Sequence, residues 1–314
     1  MEYTTLGRTG LRASVLGLGS GGPSRLGCNT HGERATSLRV VGQALDLGVN
    51  YFDTAESYGT EELLGEGLAS VPRESVVVAT KKSTWGPGHP PLPEEEIVAA
   101  LDESLRRLRT PYVDVYQLHA VLPDVYEQVR DHVVPILDKL RDRGKVRHFG
   151  ISEMFNADPG HRMLARAVQD DCWDTVMVGY NLLNPSAAER VLSVTRGKGI
   201  GVQVMFAVRR ALSRPERLAE VLADLRGRGL VPPDVEPAPD ALDFLLAEGG
   251  ASSLPDAAYR FCRHTPGCDV ILSGTGDPAH LRQNARSMLS PPLSPESLQR
   301  LHELFGEVDC LSGS

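Results

Sequence analysis

The sequence lacks the cysteine patterns that indicate a disulfide framework or a zinc site. Its cysteines number five, an odd count, and no two of them form a C-x-x-C pair. No other run of His, Cys and Asp has the spacing of metal ligands. We therefore expect reduced thiols, as in a cytoplasmic protein, and no bound metal.

Positive charge is also scarce. The 33 lysines and arginines are outnumbered by 41 acidic residues, which gives a net charge of -8 spread along the whole chain. A nucleic-acid-binding surface needs a basic stripe that neutralises phosphates, and the sequence has none. Nucleic acid is therefore not an expected partner.

Long apolar runs are absent as well. No stretch reaches the roughly 18 apolar residues of a membrane-spanning helix. The chain opens Met1-Glu2-Tyr3, without the basic region and apolar run of an export signal. We expect no membrane association and a cytoplasmic location.

What the sequence does contain is a regular alternation of short apolar runs with longer amphipathic segments, such as 97–108. A hairpin is predicted from 3–6 and 13–15. Eight strand candidates follow, at 16–19, 50–53, 76–80, 112–118, 146–151, 175–180, 201–206 and 269–273. Eight strands alternating with helices over 314 residues favour an α/β fold of the closed (β/α)8 barrel (TIM barrel) type, opened by the N-terminal hairpin, over a doubly wound sheet.

One segment, 231–255, is rich in proline and glycine and could be a linker between domains. One strand and two helices follow it, which are too few for a separate domain. We interpret the segment as a long loop after the seventh strand, and the chain, 1–314, as one barrel domain.

The glycines at 17–22 match the G-x-G-x-x-G fingerprint of a dinucleotide-binding Rossmann fold and follow a strand. That fingerprint requires a helix that opens at the glycines and an acidic residue about 20 residues further on. Here Pro23 and Gly27 postpone the helix to about Glu33, and Asp53 closes the next strand too late. A glycine-rich barrel loop is the better interpretation.

Four polar residues follow three consecutive strand candidates. Asp53 ends the second, Tyr58 lies just beyond it, Lys81 ends the third and His119 the fourth. In a barrel, active sites are built where the carboxyl ends of the strands meet. Each residue alone also has a structural interpretation, as a strand cap, a half-buried aromatic, a solvated charge (Lys81 or Lys82) or a core histidine. Their joint placement predicts an active site.

These residue types suit the reduction of a carbonyl. Hydride addition creates an alkoxide, which needs a proton and electrostatic support. A free tyrosine, with a pKa near ~10, is a poor donor, but a neighbouring ammonium such as that of Lys81 lowers the pKa of its phenol. Asp53 can hold Lys81, and His119 can donate to the substrate oxygen.

The chain resembles the aldo-keto reductase superfamily over nearly its whole length. The motifs that carry the resemblance occur in the family's order, at 6–11 (LGRTGL), 51–55 (YFDTA), 58–59 (YG), 79–81 (ATK), 114–119 (DVYQLH) and 144–152 (GKVRHFGIS). The resemblance implies a (β/α)8 barrel, an NADP(H) or NAD(H) cofactor across its mouth, and a small carbonyl substrate, either an aldehyde, a ketone or a sugar. It also implies a catalytic tetrad of Asp53, Tyr58, Lys81 (rather than Lys82) and His119, with Tyr58 as general acid and base.

The resemblance further indicates a set of cofactor-binding candidates. They are Gly19, Ser20, Asp53, Ser152, Glu153, Met177, Met205, Phe206, Arg209, Gly274, Thr275, Gly276, His280, Gln283 and Asn284. Three of them depart from the family pattern. Glu153 stands where an Asn is usual, Met177 replaces a Gln that holds the carboxamide, and Met205 replaces the aromatic under the nicotinamide, which leaves Phe206 as a substitute. Met177 and Met205 could equally be core residues.

The segment 273–284 resembles the part of the family that grips the adenosine phosphate, and a glycine-rich turn opening a helix does present amides to an anion. An ordinary helix cap at Asp277-Pro278 is the alternative. Arg209 and Arg210 could contact the pyrophosphate or be solvated. NADP-preferring relatives place a Lys or Arg where this chain has Gly274 and His280, so we expect relaxed cofactor use, with NADP(H) slightly ahead and favoured more as the pH falls.

Two other functions fit the same residues. Relatives of these reductases serve as nicotinamide-binding regulatory subunits of the channel β-subunit type, although no long extension precedes the barrel here. An NAD-dependent sugar or alcohol dehydrogenase would share both fold and tetrad, and would run the reaction in the opposite direction.

Overall fold

The computed structural model describes residues 1–29, 33–86, 88 and 90–314. Eight parallel strands form a closed barrel in which strands adjacent in the chain are neighbours, and the last pairs with the first. They are β3 (Leu16–Gly19), β4 (Tyr51–Asp53), β5 (Val77–Lys82), β6 (Val113–Val121), β7 (Val146–Glu153), β8 (Thr175–Gly179), β9 (Gly201–Met205) and β10 (Val270–Ser273). The predicted (β/α)8 barrel is confirmed, and each strand candidate corresponds to one barrel strand.

Helices alternate with the strands and cover the outside of the barrel. They are α1 (Arg34–Asp46), α2 (Glu61–Leu68), α3 (Glu94–Leu108), α4 (Tyr126–Asp142), α5 (Arg162–Ala167), α6 (Ser193–Lys198), α7 (Arg210–Ser213), α8 (Pro215–Gly227), α9 (Phe244–Ala247), α10 (Leu254–His264), α11 (Pro278–Met288) and α12 (Pro295–Phe305). The apolar stripe of α3 includes Ile97, Leu101 and Leu105, all buried in the main core. Within the described part of the chain, no helix is long and apolar enough to cross a membrane.

A two-stranded antiparallel hairpin of β1 (Tyr3–Thr5) and β2 (Arg12–Ser14) precedes the barrel, as predicted. Leu6 of its loop is fully buried with Tyr51, Val77 and Val115 in the barrel interior. Gly201 begins β9 at this end, and a Cβ there would lie 2.7 Å from Leu6 Cγ. The hairpin therefore closes the amino-terminal end of the barrel.

The glycine-rich loop after β3 is not a Rossmann loop. The chain passes through a short 3-10 turn at Arg25–Gly27 before α1 begins at Arg34. A Cβ on Gly276, in the loop after β10, would lie 2.4 Å from the Cα of Gly27. The loops that follow the first and last barrel strands are thus in backbone contact.

The irregular segment 231–255 contains the short helix α9 and packs through Leu242 and Phe244 against α8, α10 and α12. These residues belong to a second buried apolar cluster, which includes Leu222 of α8 and Phe305 of α12. The segment therefore has its own packing partners beside the barrel.

Candidate active site

The barrel brings the four predicted tetrad residues to one rim. Asp53 is the last residue of β4, and Tyr58 ends the 3-10 turn that follows. In the parallel ladder, Asp53 pairs with Ala79 of β5 and Lys81 pairs with Gln117 of β6. Two residues further along β6 is His119, so all four lie at the carboxyl ends of adjacent strands.

Lys81 and Asp53 form a buried ion pair. The Lys81 Nζ donates to Asp53 Oδ1 at 2.5 Å and to the carbonyl oxygen of Thr54 at 2.6 Å. Both side chains are almost completely enclosed. Burial raises the pKa of the Asp53 carboxyl, and the Lys81 charge opposes that rise. A charge in such a place requires a partner, because an unpaired buried charge is strongly destabilising.

Lys82 lies on the opposite face of β5, because neighbouring residues of a strand point to opposite sides. Its Nζ pairs with Glu56 Oε2 at 2.5 Å, and both side chains are partly exposed. The two adjacent lysines therefore have different environments. Only Lys81 points into the barrel beside Tyr58.

The Tyr58 ring lies next to Lys81, with the ammonium nitrogen 5.1 Å from the ring centroid. Burial is the larger influence and raises the pKa of the phenol, while the Lys81 charge acts in the opposite direction. The expectation of a net decrease in pKa is therefore not met in this structure. The phenol is protonated at neutral pH, which is the form that a proton donor needs.

His119 completes the group, with its Nε2 3.4 Å from Tyr58 Oη and the two rings edge to face. The pairing of β6 with β7 shifts register between Leu118 and Val121, and Ala120 has a positive φ of 56°. Such irregularities redirect side chains at barrel rims. Burial and the Lys81 charge lower the pKa of His119 to about 3, so its imidazole is neutral at pH 7.

The neutral state of His119 predicts how stability depends on pH. Between pH 6.5 and 3 the unfolded chain binds a proton at this residue and the folded chain does not, so folding weakens as the pH falls. Urea unfolding of the wild type should lose about 2 kcal/mol more than His119→Gln between pH 7 and pH 5. Equal losses in the two proteins would show that His119 protonates freely when folded.

At the end of β10, Gly274, Thr275 and Gly276 form the turn that opens α11. Asp277 caps this helix by accepting from the Ala279 N–H, and Thr275 Oγ1 accepts from the Asp277 N–H. The predicted cap is therefore present, in the same turn as the predicted phosphate-binding glycines. A Cβ on Gly274 would lie 3.6 Å from the carbonyl oxygen of Gly19, so this turn adjoins the loop after β3.

The other adenosine-end candidates lie along α11. His280 is largely exposed, with its Nδ1 3.8 Å from Asp277 Oδ2. Gln283 is also exposed, and Asn284 donates to Ser273 Oγ at 2.8 Å. Arg282 lies on another side of the helix, where it donates to Gln43 of α1 at 2.6 Å.

Of the candidates at the nicotinamide end, Ser152 and Glu153 end β7. Ser152 Oγ accepts from the Ala120 N–H at 2.8 Å. Glu153 is fully enclosed, and its carboxylate accepts from the Gly179 N–H at 2.7 Å and lies 3.0 Å from His161 Nδ1. This carboxylate is satisfied within the protein, so it holds the loop after β7 rather than facing the barrel mouth.

The remaining candidates follow β8 and β9. Met177 is buried, while Met205 and Phe206 are half-buried at the end of β9. The Arg209 guanidinium lies 4.1 Å from the Phe206 ring centroid and donates to Ser314 Oγ at 2.7 Å. One face of the Phe206 ring is therefore covered by Arg209.

The residues fit a nicotinamide dinucleotide better at one end than at the other. Backbone glycines and the amino terminus of the eleven-residue helix α11 suit an anionic adenosine phosphate. At the opposite end Ser152 supplies a hydroxyl, whereas position 153 holds an enclosed carboxylate and position 177 a thioether. Among the described residues, no group of three or more His, Cys, Asp or Glu could hold a metal ion.

Sequence reasoning missed two residues that support the site, His161 and Thr60. His161, which pairs with Glu153, lies eight positions beyond it at the start of α5. Ser20, expected to touch the cofactor, is fully buried and accepts a hydrogen bond from Thr60. Neither contact follows from local spacing. The glycine-rich run at 17–22 is the one sequence signal of close packing here, since a Cβ on Gly21 would meet the Tyr58 ring.

Comparison with known proteins identifies the family. The family model described as "Aldo/keto reductase family" matches residues 15–305. Aldo-keto reductase YhdN of Bacillus subtilis is 29% identical over 301 residues, which cover 90% of this chain and 87% of that protein. L-galactose dehydrogenase of Arabidopsis thaliana is 36% identical over 159 residues, about half of each chain (48%).

Comparison with solved structures finds the same fold in another aldo-keto reductase. The holo form of aldo-keto reductase AKR11C1 from Bacillus halodurans superimposes with a TM-score of 0.73 over 97% of this chain and 96% of that one, at 24% identity. That likeness concerns the barrel alone. The match of the family model over residues 15–305 shows that the chain belongs to the aldo/keto reductase family of NAD(P)-dependent oxidoreductases.

Proposed function

We propose that this protein reduces a small carbonyl compound with NAD(P)H and that Tyr58 donates the proton. The observation that carries the proposal is the enclosed Lys81–Asp53 pair beside the protonated Tyr58 phenol, with a neutral His119 3.4 Å from the phenol oxygen. The fixed ammonium stabilises the phenolate that forms once the proton has left, which suits a reaction that consumes a proton.

A bound nicotinamide cofactor supplies the hydride in such a reaction. As the carbonyl carbon gains a C–H bond, its π electrons move to the oxygen. That oxygen takes the Tyr58 proton, forming one O–H bond as the phenol O–H bond breaks. The fixed Lys81 ammonium stabilises the resulting phenolate, and Asp53 keeps the ammonium in place. His119, neutral, can donate a hydrogen bond to the substrate oxygen and orient it.

We propose that the nucleotide is held by the loops after the strands. Gly274–Gly276 and the start of α11 would take the adenosine phosphate, with His280, Gln283 and Asn284 beside it. Gly19 lies next to Gly274 and Ser152 lies at the rim of β7. Arg209 would leave Phe206 to meet the pyrophosphate, while Ser20 and Glu153 would act through the loops that they hold.

A second reaction direction has support from one comparison. L-galactose dehydrogenase, by its name, oxidises a sugar, and it is 36% identical to this chain over half its length. The same residues serve both directions, since Tyr58 can take back the proton that it gives. The preferred direction would be decided by steady-state rates of reduction and oxidation, measured with aldehydes, ketones, sugars and alcohols and with both cofactors. Nucleotide binding without turnover of any of them would instead favour a regulatory subunit.

Cofactor choice yields a prediction of its own. Arg282 is the only arginine or lysine in 274–284, and its guanidinium is bonded to Gln43. A 2′-phosphate is best bound by fixed positive charge. We therefore expect the dissociation constants of NADPH and NADH at pH 8 to agree within roughly tenfold, with NADPH slightly ahead.

His280 is the residue whose substitution tests this preference. The His280 imidazole lies on the exposed side of α11, with its Nδ1 3.8 Å from Asp277 Oδ2, and it can donate a hydrogen bond to a 2′-phosphate. His280→Ala should therefore bring the dissociation constants of NADPH and NADH closer together. A strong NADPH preference that survives His280→Ala would show that other residues bind the phosphate.

A further inference from the structure

A chain of buried hydroxyls lies behind the turn that carries Tyr58. Thr60 Oγ1 donates to Ser20 Oγ at 2.8 Å and lies 3.1 Å from Thr54 Oγ1. Thr54 and Ser20 are fully buried, and Thr60 is 1% exposed. Buried hydroxyls that satisfy one another fix the segments that carry them. Residues 54–60 are therefore tied at both ends, with Tyr58 between the tied positions.

This hydroxyl chain continues into the backbone around Lys81. The Ser20 N–H donates to the carbonyl oxygen of Asp53 at 2.8 Å, and the Thr54 N–H donates to that of Ala79 at 2.9 Å. Thr54 also accepts from the Lys81 Nζ through its own carbonyl oxygen. The hydrogen bonds that place the Tyr58 turn are thus continuous with those that place the lysine.

Gly21 lies against the face of the Tyr58 ring. A Cβ at this position would be 2.4 Å from Cε2 and 2.6 Å from Cζ, the carbon that bears the phenol oxygen. The φ of Gly21 is outside the left-handed region, so glycine is needed here for space rather than for conformation. Any side chain at 21 would displace the ring.

The contact between the phenol and His119 is long, with 3.4 Å between Tyr58 Oη and His119 Nε2. Lys81 lies beside the phenol and also interacts with it. The ring position therefore depends on what packs against it and on the turn that carries it. Those two supports are Gly21 and Thr60.

We propose that Thr60 and Gly21 are positioning residues that set where the Tyr58 hydroxyl meets the substrate oxygen. The inference rests on the proposed role of Tyr58 as proton donor. A displacement of about 1 Å at a reacting group can cost on the order of 100-fold in rate. The phenol acts in the chemical step, so its displacement should lower kcat more than it weakens nucleotide binding.

Thr60→Val tests the hydroxyl chain, because valine keeps the shape and removes both hydrogen bonds. We expect kcat to fall on the order of tenfold, a larger change than that in the nucleotide dissociation constant, which the lost Ser20 contact alone can alter. Thr60→Ser keeps the hydroxyl and should retain most of the activity. Thr195→Val is the matched control. Thr195 is equally buried, but its hydroxyl donates to the carbonyl oxygen of Leu192, three residues earlier in the chain.

Gly21→Ala tests the ring contact and should lower kcat on the order of 100-fold. Its control is Gly42→Ala on α1, where a Cβ meets nothing within 4 Å. Crystal structures of Thr60→Val and Gly21→Ala should show the Tyr58 ring displaced, a result that requires no turnover. If one variant does not fold, the other carries the test.

The deciding measurement is a double-mutant cycle with Tyr58→Phe. If Thr60 acts through the phenol, Thr60→Val should have no further effect on the residual rate of Tyr58→Phe. Additive losses, or an unmoved ring with an unchanged kcat, would overturn the positioning role and leave the proton donor in place. Full activity of Tyr58→Phe alone would refute the proposed donor, and this inference with it.

Discussion

Tyr58→Phe is expected to lower kcat for carbonyl reduction by roughly 10²- to 10⁴-fold. The substitution removes only the hydroxyl, so the ring keeps its contact with Gly21 and its place beside Lys81. Without the phenol proton the alkoxide must take one from water. The nucleotide dissociation constant should change by no more than about twofold, because the phenol acts in the chemical step.

Tyr3→Phe is a matched control. It removes a hydroxyl that donates to the carbonyl oxygen of Gly48, at the amino-terminal end of the barrel. Its turnover should equal that of the wild type. Wild-type turnover by Tyr58→Phe would show that another group supplies the proton.

Lys81→Met is the second large effect that we expect, with kcat lower on the order of 10²- to 10³-fold. Its ammonium is the charge placed to stabilise the Tyr58 phenolate. The dependence of kcat on pH in the variant should therefore no longer reflect that stabilisation. Removing Lys81 also leaves the Asp53 carboxylate buried without its ion-pair partner, which destabilises a fold by about 3–5 kcal/mol. Asp53→Asn in the same chain should restore stability but not activity.

Lys82→Met provides the comparison at the adjacent position. Its partly exposed pair with Glu56 is of a kind that contributes about 0–1 kcal/mol. Activity and melting temperature should both stay close to those of the wild type. An inactive Lys82→Met beside an active Lys81→Met would move the lysine assignment by one residue.

Much of the fold follows from local sequence patterns. Short apolar runs with helical segments between them predict parallel strands, and the strand candidates match the barrel in number and order. The joint placement of Asp53, Tyr58, Lys81 and His119 follows as well, since the carboxyl ends of parallel strands share one rim. Strand boundaries are less accurate. β6 extends to Val121 through an irregular pairing that its sequence does not signal.

Contacts between distant loops could not be predicted in the same way. The enclosure of Glu153 depends on His161 and on an amide of β8, and the packing of Phe206 depends on Arg209. The pKa of Tyr58 illustrates a second difficulty. The sequence shows that a lysine is near, but only the structure shows that burial outweighs its charge.

Transfer of deuterium tests the central claim most directly. The protein would be incubated with NADPH or NADH that carries deuterium at both positions of nicotinamide C4 and with a panel of aldehydes, ketones and sugars, and the products analysed by mass spectrometry. We predict an alcohol that carries one deuterium on the former carbonyl carbon, formed by the wild type and formed roughly 10²- to 10⁴-fold more slowly by Tyr58→Phe. Failure to transfer deuterium to any carbonyl, with the nucleotide shown to be bound, would contradict the proposed reductase activity.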